Sequence, residues 1–315
     1  MTPGSGAHAP ILKVAHKRKS HEKRGHTVMN DLRISIATGT DVGKVRSDNQ
    51  DTALNADGIY MVCDGMGGGV GGRQASAMTV RMLRSLEPLP LRSRGSIQQA
   101  LDKAQDEVAQ LGKRLNGIAG TTVTGLVLPS PPDCDSFDDA ACWYVVNVGD
   151  SRTYHLDFDE VGLTETTSIC RITKDHSQRQ EIIDSGIMTP EVANATIPRN
   201  VITQAVGAPE GIRPDFYAVD PSGRFIICSD GLYSEVGDER IATISRMNRT
   251  PRDAVDALIQ AALDAGGADN VTVIVVDAVN SEQADQRHWN ATKLDDGEDI
   301  GSIGDGTLRN LRAQS

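Results

Sequence analysis

The chain has 315 residues, 38% hydrophobic and 24% charged, which supports a full globular core and excludes disorder throughout. Asp and Glu outnumber Lys and Arg by 43 to 32; the net charge of −11 repels nucleic acid and anionic membrane in general, leaving room only for a local basic patch. Five cysteines, an odd count with no CxxC pair, argue against a disulfide framework and a structural zinc site, and no apolar run approaches the roughly 20 residues of a membrane span. The N-terminus has no apolar h-region, so no secretory signal is expected and a reducing cytoplasm is the expected compartment.

Residues 1–31 are polar and basic, centred on 17–24, with neither helical nor strand periodicity, and they read as a flexible leader. β-Branched apolar runs at 34–37, 59–63, 121–128, 143–148, 225–228 and 271–276 predict strands. Apolar residues at i, i+3 and i+4 predict helices over 74–86, 96–115 and 251–263, the last opened by Thr250 as N-cap and Pro251 at the first helical position. Two consecutive helices between the second and third strands, followed by hairpin-spaced strands, are not βαβ alternation; they suggest an α+β fold with antiparallel sheets covered by helices. Residues 129–140 read as a loop, and 176–200 as a mobile excursion with one short helix. The folded domain is expected over 32–279, with a flexible acidic tail over 280–315.

Four strand-like runs end in, or begin from, an aspartate beside glycine or asparagine: Asp64-Gly65, Gly149-Asp150, Asp230-Gly231 and Asp269-Asn270. One Asp-Gly pair is a common turn. Four such pairs together with Asp51 suggest rigidly held carboxylates that repel one another unless a cation neutralises them. Hard oxygen donors without Cys or clustered His point to magnesium or manganese rather than zinc.

In order along the chain, residues 40–51 (Thr-Asp-Val-Gly-Lys-Val-Arg-Ser-Asp-Asn-Gln-Asp), 63–68 (Cys-Asp-Gly-Met-Gly-Gly), 120–122, 147–152 (Asn-Val-Gly-Asp-Ser-Arg), 175–177, 229–232 (Ser-Asp-Gly-Leu) and 269–272 (Asp-Asn-Val-Thr) resemble the successive motifs of the metal-dependent (type 2C, or PPM) serine/threonine protein phosphatases. The resemblance spans 34–277 and is similar to the bacterial branch. It implies a four-layer α-β-β-α sandwich, two antiparallel β-sheets flanked by helix pairs, with metals in a cleft at one edge. By this resemblance Asp64 bridges two Mn2+ or Mg2+ ions, the Gly65 carbonyl binds one, and Asp230 and Asp269 complete the first ion's shell. Asp51 acts near or through metal-bound water, and Asp150 with Asp230 holds a third ion. Arg46 grips the substrate phosphate. The implied reaction is hydrolysis of phosphoserine or phosphothreonine in proteins by a water or hydroxide bridging the two ions. The implied partners are phosphoproteins, the cognate kinase included, with no nucleic acid and no membrane span; a monomer is expected.

Three positions depart from the family pattern. Gln50 stands where Glu is frequent, Ser234 where many members have Asp, and Met66 where some have His. The first two motivate a rival reading, a catalytically weak or dead relative serving as a binding module. A second rival is the GxGxxG at 67–72, lying between a strand and a helix like a dinucleotide-binding turn. Asp64 just before it would repel a pyrophosphate, however, and Glu87 does not close a strand. His176 is expected to orient a loop or cap a helix, Cys63 and Cys228 to pack, and Thr121 and Thr122 to be core or hydrogen-bonding residues. Residues 43–46 read as a strand end that carries Arg46 into the cleft, with Lys44 on the same side.

Overall fold

The computed structural model describes residues 32–67, 70–132, 141–157, 169–280 and 289–303. In chain order its elements are β1 (Leu32–Asp41), β2 (Asp51–Ala56), β3 (Ile59–Met66), α1 (Val70–Leu83), α2 (Arg94–Arg114), β4 (Gly120–Thr121), β5 (Val123–Val127), β6 (Trp143–Val148), β7 (Arg152–Leu156), β8 (Ile169–Arg171), α3 (Gln178–Asp184), α4 (Pro190–Thr196), β9 (Asp215–Val219), β10 (Gly223–Cys228), α5 (Asp230–Val236), α6 (Asp238–Met247), α7 (Pro251–Ala265), β11 (Val271–Asn280), β12 (Ala291–Lys293) and α8 (Ile300–Ile303). One sheet runs β1-β11-β10-β7-β8. The other runs β12-β9-β6-β5-β3-β2, with β4 beside β3. All their ladders among the described residues are antiparallel, which removes the dinucleotide-binding reading, since that turn belongs to a parallel βαβ unit.

The central strands bury both faces, so they read as continuous apolar runs while their side chains alternate between two cores. Along β3, Tyr60 and Val62 enter the core between the sheets, whereas Ile59, Met61 and Cys63 face α1 and α2. Along β11, Ile274 and Val276 take the inter-sheet side, and Val271, Val273 and Val275 face the opposite helices. The result is the expected four-layer sandwich, with α5, α6 and α7 on one outer face where a pair was expected. Local signals set the helix starts. Ser93 and Ser96 exchange a reciprocal capping box at α2, and Thr250 caps α7 just before Pro251. No helix among the described residues is long and apolar enough to cross a membrane.

Two expectations are corrected. The excursion at 176–200 holds two short helices, α3 and α4, rather than one. The tail is not a flexible extension from 280 onward: β12 pairs with β9, Leu294 is buried, and the Trp289 ring stacks on His155 at 3.6 Å. The apolar residues of 289–303 cover a sheet edge, which outweighs the polar composition around them. The leader at 1–31 and residues 133–140 of the 129–140 loop lie outside the described residues, as do 281–288 and 304–315.

Candidate active site

The five aspartates come from five separate strand ends. Asp51 opens β2 directly opposite Asp64 on β3. Asp230 is the first residue of α5, immediately after β10; Asp269 precedes β11; Asp150 follows β6. Strand pairing sets these ends side by side, because Cys228 of β10 faces both Val273 of β11 and Arg152 of β7. Gly65 sits where α1 approaches most closely. A Cβ there would lie 2.2 Å from the Gly72 carbonyl oxygen and 2.6 Å from that of Gln50, so no larger residue fits beside Asp64.

Side chains that the sequence did not single out hold this end together. Ser229 Oγ donates to Asp51 Oδ2 (2.7 Å) and accepts from the Thr272 amide (3.0 Å). Asn270 Nδ2 donates to the carbonyls of Val42 and Asp48, both at 2.9 Å, while its Oδ1 accepts the Gln50 amide at 2.8 Å. One buried asparagine thus ties the β1–β2 loop to the start of β11. Tyr233 donates to the Asp150 carbonyl (2.9 Å), and Arg152, locked by Asp175, covers the Tyr233 ring at 3.7 Å. Ser229 and Asn270 each neighbour a predicted aspartate, and the Ser/Asn tendency to bond nearby backbone was the available signal.

The carboxylates strain against one another. Burial raises the Asp64 pKa well above the usual carboxylate range, and Asp51, Asp230, Asp150 and Asp269 push it further. Burial brings Asp51 to about 6, against the lowering effect of its Ser229 hydrogen bond. Asp150 reaches about 7, through burial first and then Asp230 and Asp175. Asp230 is raised by burial and by Asp269, with Arg199 and Arg46 acting the other way. Asp51 Oδ1 is buried with no hydrogen-bond partner. Among the described residues no three Asp, Glu, His or Cys side chains form a finished ion cage. What is assembled is four carboxylates within electrostatic reach of Asp64, each at or beside the end of a strand. This donor set is all oxygen, since Cys63 and Cys228 face the helix-covered cores. It suits magnesium or manganese.

Arg46 is not at a strand end. β1 stops at Asp41, and Arg46 lies half-exposed in the following loop with Nη2 2.7 Å from Asp269 Oδ2. Lys44 is tied by its amide to the Gly267 carbonyl, so strand alternation does not place it beside Arg46. His176 orients a loop, as expected. Its Nδ1 accepts the Gly149 amide next to Asp150, and its Nε2 faces Asp215 at 3.4 Å. Ser234, one turn beyond Asp230, buries an Oγ that has no partner.

No family model matches the chain. It is 31% identical to protein phosphatase PhpP of Streptococcus pneumoniae over 80% of this chain and 100% of that one. It is 30% identical to the serine/threonine phosphatase Stp of Listeria innocua over 76% of this chain and 93% of that one. Among solved structures, the PPM Ser-Thr phosphatase MsPP from Mycobacterium smegmatis, in complex with cacodylate, superimposes with a TM-score of 0.64 at 32% identity, covering 77% of this chain and 97% of that one. The catalytic domain of the serine/threonine phosphatase PstP in complex with two manganese ions gives a TM-score of 0.63 at 28% identity, covering 79% and 99%. With this similarity running along more than three quarters of the chain, the chain belongs to the bacterial PPM family of serine/threonine protein phosphatases.

Proposed function

We propose that the chain hydrolyses phosphoserine and phosphothreonine in proteins, using divalent cations held around Asp64. The observation that carries this reading is Asp64 itself, a half-buried carboxylate within electrostatic reach of four others. Asp64 and the Gly65 carbonyl, with Asp230 and Asp269, would hold a pair of Mn2+ or Mg2+ ions, and the unpartnered Asp51 Oδ1 is the free acceptor for an ion or its water. When bound, the ions would supply positive charge to the phosphate and lower the pKa of a water they hold. Asp150 and Asp230 would hold a further ion, with Ser234 contributing a neutral oxygen where a third charge is frequent.

The chain's own groups do the positioning. Ser229 fixes Asp51 against β2, and Asn270 holds the loop that carries Arg46 over the cleft. Arg46 is always charged and can pair bidentately with a phosphate. It reaches the substrate by giving up its half-exposed bond to Asp269. Substrates are phosphorylated proteins, Ser/Thr kinases among them.

Manganese-dependent turnover of p-nitrophenyl phosphate and of a phosphothreonine peptide tests this reading. Asp64→Ala and Asp230→Ala should each abolish both, because each removes a ligand and leaves neighbouring carboxylates uncompensated. Full activity in Asp64→Ala would sink the assignment. Manganese binding without turnover would favour the binding module suggested by Gln50 and Ser234.

A further inference from the structure

A cleft of about 490 Å3 lies between α3, α4 and α5, beside the carboxylate cluster but outside it. Its walls carry four arginines, Arg152, Arg171, Arg179 and Arg199, against two carboxylates, Asp175 and Asp238. The carboxylates are already committed. Asp175 takes Arg152 in a two-pronged pair (2.9 and 2.7 Å), and Asp238 lies 3.4 Å from the same guanidinium. Arg171 reaches Asp175 only at 3.7 Å and donates to Gln180 Oε1 at 3.1 Å. Arg179 is held by neutral acceptors, the Ile197 carbonyl and Asn194 Oδ1. Arg199 makes a long 3.4 Å contact to the Ser234 carbonyl. Among the described residues neither Arg179 nor Arg199 has a carboxylate within ion-pairing distance.

The cleft is therefore an excess of oriented positive charge in a protein of net charge −11. Walls of low dielectric focus such a field, and guanidinium groups held by neutral acceptors keep N–H donors for an anion. It adjoins the site along one helix: Ser234 follows Asp230 by one turn of α5, on the same face. Tyr233, also in the wall, donates to the Asp150 carbonyl. The cleft wall thus continues through α5 and Tyr233 into two of the five aspartates, Asp230 and Asp150.

Resting on the phosphoprotein phosphatase reading above, we propose that the arginine cleft binds a second anionic side chain of the substrate, a carboxylate or another phosphate flanking the residue being hydrolysed. The protein would thereby prefer acidic or multiply phosphorylated segments.

The test uses the full chain with Mn2+ and peptides that carry one phosphothreonine flanked by Gln only, by Glu, or by an additional phosphoserine within three residues on either side. p-Nitrophenyl phosphate is the control that cannot reach the cleft. The wild type should show kcat/KM about tenfold higher for the Glu or phosphoserine peptides than for the Gln peptide, expressed in KM. Arg171→Gln with Arg179→Gln should erase that preference and leave p-nitrophenyl phosphate turnover within twofold. Because Arg179 also braces Ile197, a second variant, Gln180→Glu with Asn194→Asp, sets a carboxylate on each arginine while the guanidinium contacts stay, losing only the exposed Gln180 bond to Asp184, and should give the same loss. A preference for Glu alone or phosphoserine alone identifies the ligand chemistry. Equal kcat/KM for all peptides in the wild type, or a preference that survives both variants, overturns the proposal. Failure to turn over any substrate counts against the metal-site reading instead. The cleft is then judged by NMR titration with the Glu and phosphoserine peptides against the Gln peptide, where added binding lost in both variants supports it and no added binding of either in the wild type ends it.

Discussion

Ser229 illustrates how one uncharged side chain can support a charged centre. Its hydroxyl is both the donor to Asp51 and the acceptor for the Thr272 amide, so Ser229→Ala leaves an amide unsatisfied and frees a buried carboxylate. The expected stability loss is about 1–3 kcal/mol, and manganese affinity should fall by about tenfold or more, as for other groups that orient metal ligands. Calorimetric titration and thermal melts read the two effects separately; unchanged manganese affinity would make Ser229 merely structural. Arg46 should behave in the opposite way. Its pair with Asp269 is half in solvent, and such pairs contribute about 0–1 kcal/mol. Arg46→Ala should therefore change manganese affinity only a few-fold, while kcat/KM on a phosphopeptide falls about 10- to 100-fold, the equivalent of roughly 1.5–3 kcal/mol of phosphate contact. Wild-type kcat/KM in that variant would leave the phosphate to the cations alone.

Elements were legible where burial was purely apolar. The runs of β3, β6, β10 and β11 stand out because both faces meet hydrophobic neighbours, and the same strands end in the aspartates that mark the site. β7 was hidden by polar residues that are satisfied inside the sandwich. Thr153 pairs with Thr124 at 3.0 Å, and His155 bonds the Ser222 carbonyl at 2.8 Å while its ring lies against Trp289. No periodicity distinguishes a polar side chain that finds a buried partner from one that faces water. Arg46 was misplaced for a related reason. Asn270, 224 residues away, folds the β1–β2 loop by holding Val42 and Asp48, and local alternation carries no trace of that constraint. The closing segment gives a direct check. Ending the chain after residue 288 removes β12, buried Leu294 and the Trp289 stack, and bares the β9 edge. The melting temperature should drop by at least about 5 °C, the equivalent of losing one or two buried side chains. An unshifted scanning-calorimetry transition would show that segment to be dispensable.

The molecule as a whole carries its acidity in a way that links folding to cations. Asp51 titrates near 6 and Asp150 near 7, whereas an unfolded carboxyl titrates near 4. Between those values the folded chain holds more protons than the unfolded one, so metal-free stability declines as pH rises from about 4 to 7. Cations act oppositely, since they require the ionised centre. In chelator the protein should melt higher at pH 5 than at pH 7.5. At pH 7.5 a hundredfold excess of Mn2+ over its Kd, worth about 2.7 kcal/mol, should raise the transition by about 5–10 °C, with little effect at pH 5. A chelated protein whose melting temperature is flat across that range would contradict the strained-centre picture. The placement of β11 adds a temporal dimension. It lies between β1 and β10, and the turn leading into it supplies both Asp269 and the Asn270 clamp, so the first strand must meet one made near the end of the chain before all five carboxylates converge. Such long-range closure is slow. A nascent chain therefore carries only part of the site: until residues 269–280 have been synthesised, Asp269 is missing and no Asn270 clamp holds the loop that bears Arg46.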